Sequence, residues 1–222
     1  MSRRVREWKG GVRLAIIIGA MNAMQSKSTI VLDVPLRGAR DYVHSSDLFA
    51  VLDGLAKIHL SPDAHLQSLV LRRMAFHQVI AHFAPHADAF GTFSLCLGQD
   101  VTEGWLVEGR DAIARRVAFD ETPIERAAVS RTGRVLLPAP VAGYTSFEQM
   151  IVLFKILCAQ LRRGHWLLTQ MNLIAPFKDH LPRELATVQT VLGQLMKAEL
   201  RQGRGSIGQA QMVLANAAGG FS

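Results

Sequence analysis

Cysteine is scarce in this chain: only Cys96 and Cys158 occur in 222 residues. Each lies inside an apolar segment and they form no CxxC pair, so a disulfide framework and a thiolate metal cluster are both excluded. They read as small buried hydrophobes of a reducing compartment, and neither has a partner base or a helix-start position that would make it a catalytic thiol. No apolar run reaches the roughly 20 residues that span a bilayer, and no membrane partner is expected. Phosphate-binding and nucleophile-elbow motifs are missing as well. The glycines of GRGSIG at 203–208 stand between strand-like residues, without the helix a phosphate loop requires. Clustered basic charge is also lacking. The formal net charge is +7, but Arg3, Arg4, Arg6, Lys9 and Arg13 against Glu7 place +4 in the first thirteen residues, leaving +3 for the other 209. That is a weak footprint for a phosphate-binding surface, and no nucleic-acid partner is expected.

What is present is enough apolar material for a sizeable core: 49% hydrophobic against 19% charged residues. The stretch that organises the chain is Thr145 to Arg162. From Met150 to Leu161 it is almost wholly apolar apart from Lys155, so as a helix it must be wrapped on nearly every side. A sheet is expected to enclose it.

Residues 1–24 combine a basic start with the short apolar run Leu14 to Ala20, the outline of a signal peptide with a poor cleavage site. An equally good reading starts the natural protein at Met21 or Met24. Residues 1–27 are therefore set aside as an N-terminal extension, disordered or not native, and a cytoplasmic protein is expected.

From Ser28 to Leu36 the β-branched residues read as a strand. Ser45 or Ser46 can cap the helix that follows, with Asp47 in its first turn, and Leu48, Val51, Leu52, Leu55 and Ile58 recur at helical spacing. Leu66 to Phe83 reads as one long strand. Ala89–Leu97 and Gly104–Glu108 form a strand pair, Arg115–Phe119, Ile124–Ser130 and Arg134–Leu137 read as short strands, and His165–Phe177, Thr187–Arg201 and Ser206–Ala215 complete the set.

Laid on itself with a shift of 102, the chain matches Tyr42 with Tyr144, Leu48 with Met150, Leu52 with Phe154, Leu55 with Leu157, Gly91 with Gly193 and Phe93 with Leu195. Each half then reads as strand, buried helix, long strand and strand pair. This α+β pattern resembles the hotdog fold in a tandem arrangement: two hotdog-like units, each a curled antiparallel sheet wrapped around one apolar helix. Their boundaries fall at 28–130 and 131–222. The resemblance implies a pair of units joined edge to edge within one chain, with a homodimer also allowed. It further implies action on acyl thioesters of coenzyme A or acyl carrier protein, as a thioesterase or hydratase/dehydratase, with no other cofactor. The alternative is a non-catalytic member that binds an acyl or other apolar small molecule.

Under that resemblance the chemistry is expected at the start of the first helix, where free amides can polarise a thioester carbonyl. Asp41, His44 and Asp47 are the base or water-orienting candidates; capping explains Ser45, Ser46 and Asp47 equally well. In the second half Tyr144 and Glu148 occupy the matching region. Thr145 and Glu148 have the spacing of a capping box, and the sharper alternative pairs Glu148 with His44 as acid and base. Arg72 and Arg73 are candidates for the phosphates of coenzyme A. His77, His82 and His86 lack a common face and a carboxylate partner, so no metal site is expected.

Overall fold

The computed structural model describes residues 29–215; the signal-like segment and the extension at 1–27 lie outside them. The elements, in chain order, are β1 (Thr29–Leu32), β2 (Leu36–Arg37), α1 (Ser45–His59), β3 (His65–Leu71), β4 (His77–His82), β5 (Gly91–Leu97), β6 (Asp100–Ala112), β7 (Arg116–Val117), α2 (Thr122–Ala127), β8 (Val129–Arg131), β9 (Arg134–Leu137), α3 (Ser146–Leu161), β10 (Trp166–Leu173), β11 (Arg183–Val191), β12 (Leu195–Gln202) and β13 (Gly205–Leu214). Eleven strands form one antiparallel sheet in the order β1-β4-β6-β5-β3-β10-β13-β12-β11-β9-β8, and β2 pairs with β7 in parallel.

The sheet and the helices bury each other. Helix α1 lies against β3 and β5, α3 against β9 and β11, and the two helices touch. Every residue of α3 from Ser146 to Phe154 is buried, as are Leu157 and Cys158, which is the enclosure that its near-absence of a polar face requires. On α1 the buried set is narrower: Leu48, Phe49, Leu52, Leu55 and Ala56 recur on the core side. The two halves of the sheet meet at β3 and β10, where Leu69 stands opposite Met171, both fully buried.

Three strand expectations are corrected. The segment 66–83 is two strands, because β3 pairs with β5 while β4 pairs with β6, and the β5–β6 hairpin lies between them. The backbone between them turns aside to bond Phe90 through the Arg72 amide and Val43 through the Ala75 carbonyl. The segment 187–201 is likewise two strands, folded back at Leu192 and Gly193. Both adopt positive φ, 48° and 67°, the two-residue conformation that matches the twist of a hairpin. The expected strand at 124–130 is largely α2, with a proline in its first turn and the fully buried Ile124 as anchor.

Strand, helix and four strands occur in the same chain order on both sides of Arg131, but the lateral order differs. The first half runs β3-β5-β6-β4-β1 and the second β10-β13-β12-β11-β9. Tight turns force β11, β12 and β13 to be neighbours, whereas the eight residues Phe83–Phe90 let β5 cross over to β3. Gly91 and Gly193, matched in the sequence, accordingly sit in different settings, one opening a strand and the other in a turn.

Candidate functional site

The N-terminal ends of α1 and α3 come together, and one guanidinium joins them. Arg37 projects from β2; its Nε donates to Asp47 Oδ2 at 2.6 Å, and its other arm is bonded to Glu148 Oε1. The Phe119 ring lies under it, 4.2 Å from the guanidinium carbon. All three charged side chains are about nine-tenths buried. Burial opposes the charge on Arg37, but the bonds and attraction of Asp47 and Glu148 outweigh it and hold its pKa above the usual value.

The capping box is present. The Glu148 amide donates to Thr145 Oγ1 at 3.2 Å, and Glu148 Oε2 accepts the Thr145 amide at 2.6 Å. With Oε1 on Arg37, both carboxylate oxygens are engaged. At α1 the cap is His44 and neither serine: its Nδ1 accepts from the Ser46 amide at 3.4 Å and lies 2.7 Å from Ser46 Oγ. No hydrogen bond joins His44 to Glu148 among the described residues; each serves in the cap of its own helix. Burial, reinforced by the positive charges of Lys155, Arg40 and Arg37, pushes the His44 pKa well down and keeps the imidazole neutral.

A second polar cluster adjoins His44. Glu121 Oε1 accepts from Lys155 Nζ at 2.5 Å and from Arg40 at 2.9 Å. Burial works against the Glu121 charge, but the two cations prevail and lower its pKa. Tyr42 Oη lies 2.7 Å from His165 Nε2; burial raises the tyrosine pKa, while burial and Lys155 lower that of His165, so a neutral phenol and a neutral imidazole share this hydrogen bond. Tyr42, His44, Lys155 and His165, with Leu48 and Ile151, line a cavity of about 40 Å³. It has room for water or a small group.

A far larger cleft, about 610 Å³, opens beside the start of α3. Phe49, Phe147 and Phe177 form its wall. The first two rings stack at 4.0 Å, and Phe177 meets both edge-on at 5.6 and 6.0 Å. Leu66 and Leu173 extend the apolar surface, and Asp53, Lys57, His65, Ser146 and Asp179 supply its polar groups.

The remaining sequence candidates are dispersed. Asp41 is exposed just ahead of α1. The Tyr144 hydroxyl donates to the Asp120 carbonyl at 2.7 Å, and its side chain borders the larger cleft. Arg72 is exposed, and Arg73 at the edge of the small cavity is bonded to Glu108. His77 also pairs with Glu108, at 3.1 Å, while the His82 and His86 rings stand 4.7 Å apart. Among the described residues no three His, Cys, Asp or Glu side chains gather as metal donors. Sequence reasoning missed Arg37, Glu121 and His165 as partners. Lys155, a charge inside an otherwise apolar helix, was the one local signal that something polar lies behind it.

No protein-family model and no curated protein matches the chain. Among solved structures it is similar, at low identity, to dehydratase and thioesterase proteins. One is a bifunctional dehydratase-cyclase domain of ambruticin biosynthesis, at 12% identity over 86% of this chain and 90% of that one, with a TM-score of 0.46. Another is an acyl-ACP thioesterase from Bacteroides thetaiotaomicron, at 12% identity over 86% and 98%, with a TM-score of 0.45. A third is the PpsC dehydratase domain from Mycobacterium tuberculosis in complex with C12:1-CoA, at 8% identity over 85% and 88%, with a TM-score of 0.45.

Proposed function

We propose that the protein handles acyl thioesters, taking the acyl group from acyl-CoA or acyl carrier protein, as a tandem of two hotdog-like units divided near residue 130. The carrying observation is the 610 Å³ cleft beside the paired core helices, walled by three phenylalanines and two leucines; such a volume suits a ligand with a sizeable apolar portion. The linings of the two cavities support the tandem reading. Tyr42, His44, Leu71 and Lys155 of the smaller stand 102 residues from Tyr144, Ser146, Leu173 and Asp53 of the larger. The two openings are thus equivalent places in the two units. The smaller one is filled by its own side chains, with Tyr42 closed onto His165, whereas Tyr144 bonds Asp120 and leaves the larger one open.

For turnover, His44 is the candidate base, neutral and on the smaller cavity instead of the 610 Å³ cleft, and the Arg37 bridge holds Asp47 and Glu148 at the two helix starts. The test is hydrolysis and hydration of a panel of acyl-CoA and acyl carrier protein thioesters by the wild type and His44→Asn, which keeps a helix cap while removing the imidazole. Thioester turnover lost in the variant supports the assignment. A panel that is neither bound nor turned over sinks the reading. A second reading, binding without turnover, is favoured by one observation: both helix-end carboxylates are committed to Arg37. Native mass spectrometry showing bound acyl ligand with no product formation would select it.

A further inference from the structure

The larger cleft has apolar walls, yet its charged groups are already spoken for. Among the described residues that line it, Lys57 is the only lysine or arginine. Its ammonium is bonded to Asp53 Oδ2 at 2.6 Å, one helical turn away on α1. Asp53 is fixed in turn, since its Oδ1 accepts the Leu66 amide at 3.0 Å. The other lining carboxylate, Asp179, is bonded to the Ser146 hydroxyl. Behind that hydroxyl lies Arg183, fully buried, with its guanidinium on Ser146 Oγ at 2.7 Å and on the carbonyl of Asp179 at 3.1 Å. At the start of α3 the capping box of Thr145 and Glu148 engages the amides of those two residues, and the Glu148 carboxylate there offsets part of the pull of the helix end on an anion. No lysine or arginine on the described lining is left unpaired to meet an incoming negative charge.

We propose that this cleft takes an acyl chain in uncharged form, as in a thioester, ester or amide, and turns away the free carboxylate, with the Asp53–Lys57 pair as the selecting element. The inference rests on the acyl-binding reading and sharpens it. A carboxylate entering the cleft loses hydration and finds Lys57 engaged and Asp53 and Asp179 nearby, whereas a neutral carbonyl loses little. An acid released from its carrier would be expelled from the place that held the thioester.

Decanamide and decanoate test this, because they share a chain and nearly the same head shape and differ in charge. Titrated at pH 8, where an ordinary imidazole is neutral, decanamide binds the wild type about tenfold more tightly, the scale of one weakly screened charge interaction. Asp53→Asn frees Lys57 while leaving an acceptor for the Leu66 amide, so the preference shrinks or reverses. Lys57→Met, at a half-exposed side chain, uncovers Asp53, and the preference widens. Equal binding of the two ligands by the wild type, or a ratio unmoved in both variants, overturns the inference while leaving acyl binding intact. If neither ligand binds, the acyl-binding reading and this inference fall together.

Discussion

Arg37 Nε and Asp47 Oδ2 lie 2.6 Å apart in the interior, and the same guanidinium holds Glu148 from 111 residues further along the chain. Removing the cation leaves two buried carboxylates facing each other. Arg37→Met is expected to cost about 3–5 kcal/mol, read as a shift of the denaturation midpoint. Replacing all three groups at once with apolar residues costs less than Arg37→Met alone, since no charge is then stranded. A triple variant weaker than the single one would show that the bridge is not what sets this stability.

His44 carries a pH signature. Its folded pKa lies well below the ordinary imidazole value of 6.5, chiefly through burial. The unfolded chain therefore binds the extra proton first. The stabilisation is whole above about pH 6.5 and is lost as pH falls from there through the folded value. His165, also depressed, acts in the same direction. Thermal unfolding between pH 7 and 5 should fall less steeply in His44→Asn than in the wild type. An imidazole NMR titration should show His44 neutral at pH 6; a protonated ring there would refute this.

Glu108 works at a lower pH. Burial opposes its charge, but Arg73, the amides of Phe76 and His77 and the His77 ring bring its pKa down to about 2. Its contribution is full above the ordinary 4.5 and disappears as pH falls toward 2. Glu108→Gln should flatten the stability curve between pH 4.5 and 2 and change little at pH 7 beyond the loss of the Arg73 pair. An unchanged acid limb would rule this out.

The aromatic wall of the larger cleft is also part of the core. Phe147 is buried and stacked on Phe49, so Phe147→Ala should lower stability by about 3–5 kcal/mol. The part-buried Phe177 faces the cleft. Phe177→Ala should weaken acyl-ligand affinity more than it lowers the melting temperature. Equal affinity in that variant would place the chain elsewhere.

Legibility from sequence followed the range of the interactions. The apolar helix α3 and its Thr145–Glu148 box were readable because their signals lie within a few residues of one another. The cap of α1 was misplaced by one or two residues, since the His44 imidazole does the work assigned to the hydroxyl of Ser45 or Ser46. The strand at 187–201 hid a hairpin because its turn is marked by a single glycine after Leu192. Arg37 could not be assigned at all: its meaning comes from Asp47, Glu148 and Phe119, which only the fold brings together. The same holds for Tyr42 and His165, 123 positions apart. The hotdog resemblance rested on an order of strand, helix, long strand and strand pair; the structure has strand, helix and four strands on each side of Arg131, in different lateral orders.

The seam between β3 and β10 has a consequence for how the chain is made. Val70 waits for Gln170 and Leu69 for Met171, so the open margin of β3 meets its neighbour only after about a hundred more residues have been added. At roughly 5–20 residues per second that is several to about twenty seconds on the ribosome. During that interval a half-built sheet presents an unpaired strand to the cell, and this is when the nascent protein is most open to mispairing with another chain.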